Sequence, residues 1–437
     1  MKKIVAIFAL LLVAVPTEAQ MRLTLRSCLE RGLEQNFEVQ LVRNEEQIAA
    51  NNATPAGAGM LPSVGLSANV GAMLTSTTTK QTDGAKETER NAFDQSAGAG
   101  VTLNWTIFEG ARIRTNLKRL NQMHAMGQLQ TRLTIEEFVA SLTAEYYNFV
   151  QQQLRLENFR YAVQLSRERL RITEERFKIG SFSRLDLLQA RVDFNADSSQ
   201  YMSQHELVVA SRIRINELMA EEDVNEQIII RDTVIGVNKS LEWNRLVEDM
   251  LATNTELLMA DRQYEISELE LKRVKGTNYP YVTLSAGYGY HYNRFDTGTA
   301  KWRGTLGPEV GVNISFPLFD PTRRRDERNA SLQIDNSRLM QQQIRQTLMA
   351  NLATFWQAYR NNLELINLER ENLIAAKENY EIAMERYLLG DLPGIEMREA
   401  QKSLLDAEER ILTAQYNTKL CEISLQQISG NVEIYLK

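Results

Sequence analysis

Few residues in this chain can do chemistry, and their spacing narrows what they can do. Among 437 residues there are three His and two Cys. His124, His205 and His291 lie far apart, so no metal-ligand spacing is present, and neither a metal nor a cofactor is expected. No glycine-rich phosphate loop occurs, and no Ser or Cys stands beside a candidate base, so no catalytic residue and no enzymatic activity are expected. The carboxylates worth singling out follow two glycine turns: Asp186 comes after Gly180, and Glu396 and Glu399 after Gly390. Spaced three apart, Glu396 and Glu399 share one helix face, which would attract cations and repel anions, although a plain solvated face gives the same pattern. Cys28 and Cys421 leave a bridge open in an oxidising compartment, since sequence does not fix the Cα separation below about 7 Å that a disulfide needs.

Composition excludes further classes. With 50 basic and 56 acidic residues the formal charge is -6, which gives no electrostatic footprint for nucleic acid. A mean hydropathy of -0.35 is too polar for a bundle of membrane-spanning helices. The first residues form a separate element: Lys2 and Lys3 precede an apolar run over 4–15, followed by Thr17, Glu18 and Ala19. This predicts a secretory signal peptide over 1–19, because so short an apolar run falls below the roughly 20 residues that span a bilayer. The mature chain is expected to be an exported, acidic protein.

The elements that must carry the turns are long helices. No Pro occurs between Ser63 and Tyr279, and between Gly110 and Gly236 the only glycines are Gly127 and Gly180. Ile135, Leu142, Phe149, Leu156, Val163, Leu170 and Phe177 recur every seven residues, and Leu187, Phe194, Tyr201, Val208 and Ile215 continue the pattern after Gly180. Both series read as coiled-coil seams, which makes much of the molecule a rod. The pattern returns at an offset of 210, with Leu352, Tyr359, Ile366, Leu373, Tyr380 and Tyr387, then Met397, Leu404, Ile411, Thr418 and Leu425. Upstream, Asn36 and Pro62 match Asn254 and Pro280. A duplication of this size means two halves, 20–220 and 241–437, joined by a linker over 221–240, each half holding a long helical hairpin (about 109–220 and 320–430).

Each half also carries a strand pair, over 62–108 and 280–319. Val64, Leu66, Ala68 and Val70 alternate with Gly65, Ser67 and Asn69, and Val310, Val312, Ile314 and Phe316 alternate with Gly311, Asn313 and Ser315. Such faces suit either a soluble sandwich or an outer-membrane barrel with lipid outside and water within. Ten or more tilted residues cover the barrel's apolar band of about 25 Å, and the connections at 75–95 and 294–304 are polar enough for exposed loops. Four strands cannot close a barrel, and an open edge is not tolerated in lipid, so several chains must share one.

Taken in order, these pieces resemble the TolC-type outer-membrane efflux proteins. The resemblance covers the whole mature chain. Its most specific parts are the Arg176-Phe177-x-x-Gly180 turn ending in Leu185-Asp186, its partner from Arg386 to Glu396, and the strand exits Trp105 to Gly110 and Phe316 to Pro321. It implies a mixed fold, a membrane β-barrel continued by a long α-helical coiled-coil barrel, with two structural repeats, four barrel strands per chain and a homotrimer completing the barrel. The implied role is the outer-membrane exit duct of a tripartite efflux pump, passively conducting small molecules. Partners would be a periplasmic adaptor, an inner-membrane transporter and outer-membrane lipid. An exit duct for type I protein secretion is the alternative within that class; a pore-less periplasmic adaptor or structural coiled coil is the alternative outside it.

The resemblance assigns roles to the turns. Ile179, Gly180, Ser181, Phe182 and Ser183, with Leu389, Gly390, Asp391, Leu392 and Pro393, are the expected adaptor-docking tips, with Phe182 and Leu392 exposed at the far end. Gly180 and Gly390 also suit left-handed helix caps. Asp186, Glu396 and Glu399 are the expected tunnel gate, the two glutamates contributing six carboxylates in a trimer. In relatives the carboxylate at the Asp186 position pairs with an Arg where this chain has Leu392, so the closing contact must differ here, with Arg184 or Arg398 as candidates. Read from the residues themselves, Asp320 is expected to cap the second long helix with Pro321 at its first position, and Arg323, Arg324 and Arg325 either meet lipid phosphates or form a solvated basic first turn that opposes the helix dipole.

Overall fold

The computed structural model describes residues 22–230, 234–297 and 300–436. The signal peptide expected at 1–19 and part of the 221–240 linker lie outside the described residues. In chain order the elements are β1 (Arg22–Leu23), α1 (Leu25–Gln35), α2 (Phe37–Asn52), β2 (Ser63–Lys80), β3 (Lys86–Glu109), α3 (Arg112–Lys178), α4 (Arg184–Met219), β4 (Ile229–Ile230), α5 (Trp243–Thr253), α6 (Thr255–Lys275), β5 (Tyr281–Arg294), β6 (Trp302–Ser315), α7 (Thr322–Leu389) and α8 (Gly394–Ile428). The duplication read from sequence is visible in the lengths: α3 and α7 have 67 and 68 residues, α4 and α8 have 36 and 35. The described residues form two compact units, one drawn from 44–129 and 259–342 and the other from 22–43, 130–258 and 343–436, each drawing on both sequence halves.

The first unit holds a four-stranded antiparallel sheet in the order β2-β3-β5-β6. Its register lines Trp105, Leu284 and Val312 across the apolar face, while Gly100, Gly289 and Gly307 lie side by side on the other. No core covers the apolar face: Leu66 and Val70 are 83% and 88% exposed, and Val310 and Ile314 are exposed too. Among the described residues, β2 and β6 pair on one side only. The loop expected at 75–95 is mostly strand. Its β-branched threonines extend β2 to Lys80, Thr78 meets Thr88 across the hairpin at 3.3 Å, and the turn tightens to residues 81–85, where the Gln81 N–H donates to the Ala85 carbonyl at 2.8 Å. At the other end β6 stops at Ser315, earlier than expected, because Pro317 has no N–H for the ladder.

Corners follow each strand pair. Gly110 and Ala111 take φ of +55° and +64° between β3 and α3, and a Cβ at Gly110 would lie 2.3 Å from the Gly276 carbonyl oxygen. The Asp320 carboxylate accepts from the Thr322 N–H at 2.9 Å and its hydroxyl at 2.7 Å, which caps α7 and holds the carboxyl below its usual range.

The second unit contains the hydrophobic clusters. One gathers Leu29, Leu142, Tyr146, Phe149 and Met219; another Leu246, Met250, Leu352, Tyr359 and Leu425; a third Tyr380, Tyr387, Leu392, Met397 and Leu404. Asn36 and Asn254 play matched parts. Each side-chain carbonyl accepts from the helix that follows, and each amide donates to the end of a return helix, at Leu218 and Ile428. Cys28 and Cys421 are buried in different clusters and form no disulfide. Burial pushes the Cys421 thiol up, against the opposing effect of its contact with Asn362.

The predicted seams are partly displaced. In the second half Tyr380, Tyr387, Met397, Leu404 and Leu425 are buried as expected. In the first half Ile215 is buried as expected, beside Asn216 and Met219 at the end of α4, but along the rest of that helix the buried positions are Ala190, Asp197, Gln204 and Ser211, still every seven residues but three along from Leu187, Phe194, Tyr201 and Val208, which are half-buried. The polar positions are satisfied from neighbouring helices: Gln204 donates to the Gln152 side chain at 2.7 Å and carbonyl at 3.1 Å, and Ser211 accepts from Asn148 at 3.3 Å. At offset 210 the same stripe is Ala400, Ala407, Ala414 and Cys421, all buried.

Candidate functional site at the tip turns

Both turns close long helices by the same hydrogen bonds. The Ser181 N–H donates to the Arg176 carbonyl at 2.9 Å and that of Gly180 to Phe177 at 3.0 Å; Asp391 and Gly390 repeat this with Arg386 and Tyr387 at 2.9 and 3.1 Å. Gly180 and Gly390 have φ of +77° and +85°, so each is the left-handed residue that this closure requires. The expected capping role is therefore present at both turns.

The apolar residues of the turns do not point as predicted. Leu392 is only 8% exposed, packed in the cluster with Tyr387 and Met397, and Phe182 is half-buried against the same cluster. Its ring lies 6.3 Å from that of Tyr387, and the Arg176 guanidinium sits over both, at 5.1 and 5.4 Å. The exposed apolar residues are instead Ile179 and Leu389, 77% and 84% exposed, with Leu185 and Ile395. These four are related in pairs by the offset of 210, so the two turns present matched apolar knobs.

The gate candidates separate. Asp186 is exposed, and its carboxylate accepts from the Ser183 N–H at 3.0 Å and hydroxyl at 2.7 Å, while Ser183 Oγ accepts from the Asp186 N–H. Ser183 is thus the N-cap of α4 with Asp186 as the reciprocal member of a capping box, whereas α8 begins after Pro393 with no side-chain cap. Glu396 and Glu399 are exposed on α8 and have no ion-pair partner among the described residues. Ser181 and Ser183 are exposed, and Asp391 is met by Arg386 at 3.4 Å.

Further from the turns a paired contact joins the two return helices. Arg398 Nη1 and Nη2 donate to the two oxygens of Asp197 at 2.8 and 2.7 Å, and the Asp197 side chain is only 2% exposed. Burial opposes the Arg398 charge, yet the hydrogen bonds and charge of Asp197 outweigh it and hold the guanidinium above its ordinary value. Beside this pair Arg169 Nη2 donates to Asp193. Burial lowers the Arg169 pKa, with Asp193 opposing. Nearer the turns, Thr173 Oγ1 and the Tyr387 hydroxyl meet at 3.0 Å, and Arg176 donates to the Leu388 carbonyl at 2.8 Å, a cation at the C-terminal end of α7. Arg169, Thr173, Asp186, Asp193 and Tyr387 line a cavity of about 270 Å³.

Arg398 was a sequence candidate; Asp197, Asp193, Arg169, Thr173 and Tyr387 were not. A signal existed in the seven-residue spacing of Ala190, Asp197, Gln204 and Ser211, which hydrophobicity hides. His124, His205 and His291 are not brought together, and no three His, Cys, Asp or Glu among the described residues form a metal-binding group.

The sequence model of the family described as outer membrane efflux protein matches residues 28–221 and 246–431. The chain belongs to the outer membrane efflux protein family. Its similarity to individual members is distant but long. It is 18% identical to the outer membrane protein TolC of Vibrio cholerae, covering 99% of this chain and 96% of that one. With the probable efflux pump outer membrane protein TtgC of Pseudomonas putida the identity is 20%, over 77% and 71%. Among solved structures, the outer membrane protein VceC of Vibrio cholerae has a TM-score of 0.75 at 16% identity, covering 93% of this chain and 96% of its own. The CmeC outer membrane channel of Campylobacter jejuni gives 0.76 at 16% identity, covering 93% and 85%. This outer membrane efflux protein therefore has the fold of those channels, a β domain joined to long helices. No described helix is long and apolar enough to cross a membrane.

Proposed function

We propose that this protein is the outer-membrane exit duct of a tripartite efflux pump, conducting small molecules passively out of the cell. The observation that carries the reading is the open sheet of β2, β3, β5 and β6, with one face apolar and exposed and the outer sides of both edge strands unpaired among the described residues. In lipid such edges must be closed, and three copies of four strands close a barrel of twelve. The homotrimer, the continuous aqueous path and the placement of Glu396 and Glu399 around its narrow end belong to this proposal. No catalytic step is required of the duct; an inner-membrane transporter supplies the energy. Relatives named as antibiotic and toluene efflux pump outer membrane proteins support small molecules over polypeptides as cargo.

The tip turns are the proposed docking surface for a periplasmic adaptor, through Ile179, Leu185, Leu389 and Ile395, while Gly180, Ser181, Phe182, Ser183, Gly390, Asp391, Leu392 and Pro393 shape the turns. We assign the closing contact to Asp197 and Arg398, which join α4 to α8, with Asp186 supporting the turn through its capping box with Ser183. Light scattering of the purified protein tests the assembly. Three chains per particle are expected, and Ser67→Pro, which places a ring in edge strand β2, should reduce it to single chains. A single-chain particle from the unaltered protein would contradict the duct.

A further inference from the structure

The Arg323-Arg324-Arg325 run at the start of α7 opposes the helix dipole, so its charges call for partners. Two of the three have them. Arg323 donates to the Pro317 carbonyl at 2.7 Å, and Arg325 donates to Asp326 at 2.8 and 2.9 Å. Arg324 pairs with no carboxylate among the described residues. It instead lines a cleft of about 380 Å³ with Lys275, from the last turn of α6, Arg328, one turn further along α7, and Leu271, Glu327 and Ser331. Lys275 and Arg328 are likewise exposed and have no carboxylate partner. Glu327, the single acid of the cleft, accepts from the Asn278 amide at 2.7 Å. Three cations thus face one opening with one carboxylate.

The surroundings identify what would fill it. Leu318 and Phe319 are 88% and 86% exposed in the short segment between β6 and α7, following the exposed Ile314 and Phe316. An apolar, aromatic edge followed within one helical turn by unpaired cations matches the step from acyl chain to headgroup at a bilayer surface. We propose that this cleft holds the phosphate of an anionic phospholipid of the adjoining leaflet, with Lys275, Arg324 and Arg328 as its ligands and Leu318 and Phe319 against its acyl chains. The inference rests on the outer-membrane reading above and adds a lipid site to it.

The test titrates the full-length protein in detergent with dioctanoyl-phosphatidylglycerol and, separately, with inorganic phosphate. A surface cation contributes about fivefold to binding of an anionic headgroup, so Arg324→Ala/Arg328→Ala should weaken lipid binding about 30-fold. Arg325→Ala, which removes a cation already paired, should change it less than about twofold. Inorganic phosphate should not displace the lipid. Unchanged affinity in the double variant, equal loss in Arg325→Ala, or displacement of the lipid by phosphate would each overturn the site. Channel conductance reads the duct proposal separately, so loss of lipid binding in a protein that still conducts concerns this cleft alone.

Discussion

Arg398 donates two parallel hydrogen bonds to Asp197, at 2.8 and 2.7 Å, tying the return helix of the second hairpin to that of the first. The pair has no counterpart in the other half, where the positions at offset 210 are Ala407 and, for Arg398, Leu188. Removing one partner strands the other in a buried setting. Arg398→Ala should therefore destabilise the contact by about 3–5 kcal/mol, whereas Asp197→Leu with Arg398→Leu should recover most of the loss, since an apolar pair of similar volume often replaces a buried ion pair at little cost. Hydrogen exchange over 394–407 checks both. Equal protection in the single variant would show that the pair does not hold these helices together.

The exposed and buried apolar residues of one turn should behave differently. Leu389→Ser leaves the fold within about 0.5 kcal/mol but should abolish cross-linking to an adaptor hairpin. Leu392→Ala removes a side chain from the cluster around Tyr387, with a stability loss of about 2–5 kcal/mol at the tip. Thermal unfolding and site-directed cross-linking of both variants separate the two effects.

Gly180→Ala places a Cβ in open space but at φ +77°, so its cost is conformational, about 1–2 kcal/mol. Faster exchange over 176–184 is the expected signature, with no change at Gly390.

Glu136 supplies a pH dependence. Burial raises its pKa, against the opposing hydrogen bonds from Arg132 and Thr255. A carboxyl raised in the folded state binds its proton more tightly there than in the unfolded chain, so its contribution falls as pH climbs from about 4.5 through the folded value. Glu136→Gln should narrow the difference in melting temperature between pH 4 and pH 7 in that direction. A melting profile in which the variant and the unaltered protein differ equally at both pH values would exclude Glu136 as the source.

Much of this fold was legible because its signals are periodic. The two glycine turns, the alternating faces of β2, β3, β5 and β6, and the offset of 210 all survive in the structure. What hydrophobicity could not find was the polar stripe of α4, because Asp197, Gln204 and Ser211 are buried by virtue of partners distant in sequence: Arg398, Gln152 and Asn148. The direction of Phe182 and Leu392 was misread for a related reason. A turn residue flanked by polar neighbours looks exposed, but the left-handed glycine before it folds the chain back, so that the side chain returns to the cluster around Tyr387.

Planar-bilayer recording of the purified protein tests the central claim most directly. The account predicts discrete ion-conducting steps, small for the unaltered protein and several-fold larger once Asp197→Ala releases the contact that ties α8 to α4. Absence of any discrete conductance, in the unaltered protein and in the Asp197→Ala variant alike, would contradict it.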